Sequence, residues 1–138
     1  MADPLGIPAS ITAVIQLAGD VMQYINDTKD DSGERLRIRD EISSTSFLLY
    51  MLKDRIQQAH LGEPWLSTAQ LIDVTNGPLQ QFKRALEQLA LRLALSKGLK
   101  KIGKALTWPF QKGEVKEILS TIERQASLFD LAMQNDHM

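Results

Sequence analysis

The chain has 138 residues, of which 43% are apolar and 24% charged, and its formal net charge is −1. These values are typical of one soluble globular domain and give the whole molecule no bias toward nucleic acid. The absence of cysteine excludes disulfides, thiol nucleophiles and cysteine-ligated metals.

The first predicted element is a helix that starts near Pro8 and Ser10, residues typical of a helix N-terminus. From Leu5 to Ile25 the only charged residue is Asp20, and small residues are frequent. Such a helix suits either the centre of a helical fold or a membrane. Its apolar residues at helical spacing are Ile11, Val14, Ile15, Ala18, Met22 and Ile25.

Three more segments show the helical period of apolar residues. The second segment carries Thr45 in its seam together with Ile38, Ile42, Leu49, Leu52 and Ile56. The stretch from Trp65 to Val74 predicts a short extra helix. The third opens at Asn76-Gly77-Pro78, a capping and first-turn signal, and continues with Leu79, Phe82, Leu86, Leu89 and Leu93. The fourth carries Val115, Leu119, Ile122, Ala126, Phe129 and Met133.

No segment shows the apolar alternation that is typical of a strand. The sequence therefore predicts an all-α fold, an antiparallel four-helix bundle with one or two short extra helices. Residues 1–138 are expected to form this single domain. The start of the chain lacks a basic n-region, and no uncharged apolar run reaches the roughly 18 residues that span a bilayer. We expect a cytoplasmic protein that is soluble as made.

The stretch GLKKIGKALTW, residues 98–108, matches a Walker A motif as far as Lys104. A P-loop needs a strand before it and a helix after it, so that backbone N–H groups point at the phosphates. Here a helical pattern precedes Gly98, and Ala105 stands where the magnesium-binding hydroxyl belongs. The stretch is therefore not a nucleotide-binding loop, and the sequence implies no cofactor.

The same stretch lies in a basic segment, from Arg92 to Lys116, in which Glu114 is the one acid among seven basic residues. One interpretation is a solvated corner between helices, closed by Trp108 and Phe110 as structural anchors. The other is a surface that docks on an anionic membrane, and both can hold at once. The candidate membrane-binding residues are Lys97, Lys100, Lys101 and Lys104.

The sequence shows no group of residues in a pattern typical of a catalytic site. His60 and His137 are the only histidines, and neither stands near carboxylates at metal-ligand spacing. The polar run 43–46 has no base that could activate a nucleophile. Carboxylates cluster near the start of the second helix, where they favour the helix dipole: Asp30, Asp31, Glu34, Asp40 and Glu41. We expect no metal site and no enzyme.

Two stretches resemble a known family. GIPASITAVIQLAGDVMQYINDTKD resembles the opening of fungal N-terminal domains attached to NACHT or NB-ARC sensor proteins. LTWPFQKGEVKEILSTIERQASLFDLAMQNDH, residues 106–137, matches the end of those domains in the order W-P-F, a basic residue, E-[VI], I-L, I-E-R and N-D. These domains belong to the HeLo and HeLo-like group, which is similar in architecture to four-helix cell-death executioner domains.

The resemblance implies a cell-death or signalling effector domain of a fungal NLR-like (STAND) protein. Such a domain would oligomerise on activation, with a nucleotide-binding sensor region downstream in the same chain, and relocate to the plasma membrane. In this hypothesis the first helix inserts into lipid through Ile11, Val14 and Ile15 while the four lysines bind anionic headgroups. No nucleic-acid partner is implied.

The alternative is a helical interaction or autoinhibitory module with no lipid role. Such a module would show an exposed apolar patch on its surface. The candidates lie off the core seams of the second and third helices, and these faces could instead bury against the fourth helix. They are Leu48, Tyr50, Met51, Leu91 and Leu95.

Overall fold

The computed structural model describes residues 6–28, 33–60, 62–100 and 108–135, with the side chains of 96–100 and 135 left aside. Helix accounts for 85% of these residues, and no strand occurs among them. The all-α prediction, with four long helices, is confirmed. The helices are α1 (Ile7–Asn26), α2 (Glu34–Gln58), the short α3 (Trp65–Gln70), α4 (Pro78–Lys100) and α5 (Lys112–Asn135), and a 3₁₀ turn (Leu71–Asp73) follows α3.

Local sequence explains where α2 begins. Gly33 precedes α2 with φ of +82°, a left-handed conformation that glycine adopts without the steric cost of a side chain. Glu34 follows in the first turn of α2, where its charge favours the helix dipole. Asp30 and Asp31, predicted to act in the same way, lie outside the described residues.

The core is formed by the predicted apolar seams. Every predicted core position in the four long helices is buried, except four that are half-buried. Thr45 is fully buried, and its hydroxyl donates a 2.8 Å hydrogen bond to the carbonyl of Glu41, so the polar seam position is satisfied. The half-buried four are Ile15, Met22, Ala126 and Met133.

Contacts near the helix ends join two pairs of helices, α1 with α2 and α4 with α5. At the first, Arg35 near the start of α2 donates a 3.0 Å hydrogen bond to the carbonyl of Ile25 near the end of α1. At the second, Phe82 early in α4 lies edge-on to Phe129 late in α5, with ring centroids 6.2 Å apart. These contacts place the end of α1 beside the start of α2, and the start of α4 beside the end of α5.

α2 and α5 also pack against each other, and their starts lie at the same end of the molecule. Arg37 of α2 and Lys116 of α5 line one groove there. At the other end, the indole of Trp65, which lies under Arg55 of α2, hydrogen-bonds to Ala132 of α5. The end of the molecule that holds the starts of α2 and α5 is called the basic end below.

Candidate functional site

Two of the four predicted lysines lie near the basic end, at the junction of α4 and α5. Lys97 and Lys100 belong to the last turns of α4, although their side chains are not described, and Lys101 and Lys104 lie outside the described residues. Their membrane role stays a prediction.

Beside this junction, a groove of about 710 Å³ opens between the starts of α2 and α5. Three cations line it, Arg37 from α2 and Lys112 and Lys116 from α5, together with the carboxylates Glu34 and Glu123. Within the described part of the chain none of these three cations forms a salt bridge. The N-terminal ends of two helices add the positive side of their dipoles to the same place. The groove therefore presents a concave surface that favours an anion.

The sequence pattern missed this groove. Lys112 and Lys116 belong to the basic segment but not to the four predicted membrane-binding lysines, and Arg37 stands more than seventy residues earlier in the chain. Only the packing of α2 against α5 brings Arg37 to these lysines. One local signal was available, because lysines in the first turns of a helix oppose its dipole and are an unfavourable choice for stability alone.

The corner before α5 is fixed by Arg92. Its guanidinium lies 4.4 Å from the ring centroid of Phe110, binds the carboxylate of Glu114 and donates to the carbonyl of Pro109. The backbone N–H of Gln111 donates a 3.1 Å hydrogen bond to the same carboxylate. That N–H, and then Arg92, hold the pKa of Glu114 below its ordinary value. The guanidinium of Arg92 thus has its partners within the same chain, although its side chain is 38% exposed.

The two predicted anchors lie against each other at this corner. Phe110 is buried and Trp108 is half-buried, with ring centroids 4.9 Å apart and the planes inclined at 57°. Trp108 packs against the core, but its Nε1 has no hydrogen-bond partner among the described residues. Phe110 therefore carries more of the burial than its neighbour.

A second arginine cluster lies at the opposite end. Arg55 bonds to the carboxylate of Glu63 at 2.8 Å and lies 4.6 Å from the ring centroid of Trp65. The backbone N–H of His60 donates to the same carboxylate at 3.2 Å. The bond from Arg55, followed by that from His60, lowers the pKa of Glu63. Both ends of the helix assembly are therefore closed by an arginine that lies over an aromatic ring and binds a glutamate.

The predicted membrane-inserting residues of α1 face inward. Ile11 and Val14 are buried in the core, and Ile15 is half-buried and packed against it. In this state none of the three side chains is free to enter a lipid layer. Within the described ranges, no helix is both long enough and apolar enough to cross a membrane.

Exposed apolar side chains mark the outer faces of α2 and α4. Tyr50 is 59% exposed, and Leu91 and Leu95 are each 65% exposed, so these three do not bury against α5. Leu48 and Met51 are half-buried. Phe47, which the sequence interpretation missed, is 64% exposed. Two of these helices therefore carry apolar surface that the described part of the chain leaves uncovered.

In the described ranges, no three histidine, aspartate or glutamate side chains are grouped where they could hold a metal ion. No protein-family model, characterised protein or solved structure matches the chain.

Proposed function

We propose that the domain is the N-terminal effector of a fungal NLR-like (STAND) sensor chain, and that it acts by oligomerising and docking on an anionic membrane. Its four long helices would form a four-helix bundle made of two antiparallel hairpins, α1 with α2 and α4 with α5. In the resting cell the domain is cytoplasmic, and activation moves it to the plasma membrane. The family resemblance of the two chain ends supports this assignment.

The observation that carries the proposal is the groove with its three cations unpaired within the described residues. Arg37, Lys112 and Lys116 supply positive charge at the end where Lys97 and Lys100 lie in the last turns of α4, and the sequence continues with two further lysines. A basic residue near an anionic leaflet contributes about 1 kcal/mol of attraction. A single copy therefore binds weakly, whereas a cluster of copies binds strongly because each further contact is intramolecular.

Vesicle flotation tests this proposal. The protein, alone and fused to a trimeric coiled coil, is mixed with neutral vesicles or with vesicles rich in phosphatidylserine. We expect only the fused form to float, only with the anionic vesicles, and less as salt is added. A fused form that does not float with the anionic vesicles would contradict the proposal.

Two charge-removal variants locate the surface. The first replaces Lys97, Lys100, Lys101 and Lys104 by glutamine, and the second replaces Arg37, Lys112 and Lys116 by glutamine. Each should lower flotation of the trimer by at least tenfold, because three or four attractive charges disappear from each copy. The control Lys83→Gln removes an exposed charge early in α4, remote from the basic end, and should leave flotation unchanged.

A second candidate function is a helical interaction or autoinhibitory module without a lipid role. The exposure of Phe47, Tyr50, Leu91 and Leu95 favours it, because grouped apolar side chains in water often mark contact surfaces. This candidate predicts association that is independent of lipid and of the basic groove. Flotation separates the two, since only the membrane proposal expects binding to anionic vesicles and its loss in the charge-removal variants, whereas this candidate expects association without flotation.

A further inference from the structure

Four of the exposed apolar residues lie in pairs on the faces of two helices. Phe47 and Tyr50, three residues apart on α2, share one helix face and define the α2 patch. Leu91 and Leu95, four residues apart on α4, define the α4 patch in the same way. All four side chains are more than half exposed.

The two patches lie on opposite sides of the molecule. α2 packs on α1 and on α5, and α4 packs on the same two helices, while α2 and α4 share no comparable contact. The two helices therefore occupy diagonal corners, and their outer faces point away from each other. One copy cannot cover its own α4 patch with its own α2 patch.

The α4 patch borders a concave site. A groove of about 470 Å³ runs between α4 and α5, with Leu91 in its wall and further apolar lining from Ala85, Phe110 and Ile118. Arg84 and Glu117 stand among its polar lining residues. A groove of this kind suits one large apolar side chain that arrives with charged neighbours of both signs.

The α2 patch has this composition. The ring of Phe47 stands in solvent, Lys53 lies with its ammonium 5.6 Å from the ring centroid of Tyr50, and Asp54 follows one turn after Tyr50. Asp54 is opposite in charge to Arg84, and Lys53 is opposite in charge to Glu117. The exposed face of α2 therefore offers large apolar side chains and charges of both signs, which match the apolar and charged lining of the groove.

We propose that copies of this chain associate head to tail, with the α2 patch of one copy seated in the α4–α5 groove of the next. The inference rests on the proposed function, whose oligomerisation step it assigns to named surfaces. A contact between two different faces leaves one of each free at the ends of every assembly, so growth continues until a ring closes or a filament forms. A twofold dimer, in which one face pairs with itself, would stop at two copies.

Mixing two variants tests the head-to-tail arrangement. Phe47→Asp with Tyr50→Ser destroys the α2 patch, and Leu91→Asp with Leu95→Asp destroys the α4 patch. The parent should show a light-scattering mass that rises past the dimer with concentration, and each variant alone should remain a monomer. An equal mixture should give a dimer that grows no further, because one intact α2 patch can meet one intact groove.

Three outcomes would overturn the inference: a parent that is monomeric at millimolar concentration, an assembly that only one of the two variants disrupts, and a mixture that stays monomeric. The control Leu131→Asp, at an exposed position of α5 outside both patches, should assemble to the same light-scattering mass as the parent. If this control fails to assemble, the association does not depend on the two named patches. Circular dichroism and an unchanged melting temperature establish that the variants fold. Flotation of coiled-coil trimers separates this inference from the membrane proposal. If trimers that carry the patch substitutions still float with anionic vesicles, the membrane proposal holds even when the head-to-tail contact is disproved.

Discussion

The indole Nε1 of Trp65 donates a 2.8 Å hydrogen bond to the main-chain carbonyl of Ala132, 67 residues further along the chain. Ala132 lies in the last turn of α5, where the carbonyls find no N–H donor within the helix. The bond is buried, so this carbonyl would otherwise be out of reach of water. Trp65 of the short α3 therefore supplies the hydrogen-bond donor that this carbonyl at the end of α5 would otherwise lack.

Replacing Trp65 by phenylalanine should lower the free energy of unfolding by about 1–3 kcal/mol, because a buried carbonyl loses its donor. Urea denaturation of parent and variant measures the difference. Trp108→Phe is the matched control, since its Nε1 has no partner among the described residues. The control should cost clearly less, and an equal loss in the two variants would assign both effects to ring size rather than to the hydrogen bond.

Arg92→Lys should destabilise the corner before α5 by about 1–2 kcal/mol, although the charge is kept. A lysine cannot lie flat on Phe110 while it also binds two acceptors, as the planar guanidinium does. Arg84→Lys is the control, because Arg84 is exposed and donates one side-chain hydrogen bond among the described residues, of 2.8 Å to Asn76. Thermal unfolding of the two variants should differ, and equal melting temperatures would contradict the role given to Arg92.

Two glycines should respond in opposite directions to alanine. A Cβ at Gly77 would lie 2.8 Å from a methyl of Val74 and 2.9 Å from the Val74 carbonyl oxygen, so Gly77→Ala forces the turn before α4 to shift and should cost about 1–3 kcal/mol. Gly19 is exposed inside α1 with nothing within 4 Å of such an atom. Gly19→Ala should stabilise by about 0.5–1 kcal/mol, because alanine favours the helix. Denaturant unfolding compares them directly.

Acid should weaken both arginine–glutamate clusters. The pKa of Glu63 is lowered first by its bond from Arg55, and that of Glu114 first by the Gln111 N–H. A carboxyl with a lowered pKa in the folded state stabilises above its unfolded pKa, near 4.5, and this contribution is lost as the pH falls through the folded value. The stability gap between the parent and Glu63→Gln, measured in urea, should therefore narrow below about pH 4.5.

Glu41 provides the control of opposite sign. Burial, and then the neighbouring carboxylate of Glu123, raise the pKa of Glu41. A raised pKa means that the charged form is disfavoured in the folded protein, so Glu41→Gln should equal or exceed the parent in stability at pH 7. That advantage should vanish as the pH falls through the folded pKa toward 4.5. A Glu41→Gln variant that is less stable than the parent at pH 7 would contradict the assignment.

Removing the cations of the groove should not harm the fold. Lys112→Gln takes a positive charge from the first turn of α5, where it opposes the helix dipole, and should raise the unfolding free energy by about 0.3–1 kcal/mol. The variant with glutamine at Lys97, Lys100, Lys101 and Lys104 should change stability by less than about 1 kcal/mol. A large loss in either variant would show that these charges hold the structure together.

The helices could be predicted from the sequence because burial imposes a local period. Ile38, Ile42 and Leu49 follow that period, and all three are buried in α2. The groove could not be predicted, since Arg37 meets Lys116 only through the packing of two helices that are distant in sequence. The hydrogen bond from Trp65 to Ala132 has the same origin, because no periodicity records which carbonyl an indole will reach.

The buried seam of α1 has a kinetic consequence. If activation draws α1 out of the core, the step requires local unfolding, because Ile7, Ile11 and four further side chains must leave their contacts together. Under the proposed function, assembly of the sensor chain would set the equilibrium between packed and released α1. The lifetime of the packed state would set the delay before the response. Amide hydrogen exchange along α1, at a pH high enough for every opening to lead to exchange, would measure that lifetime in the isolated domain and show how long a falsely assembled complex has to dissociate before the helix is released.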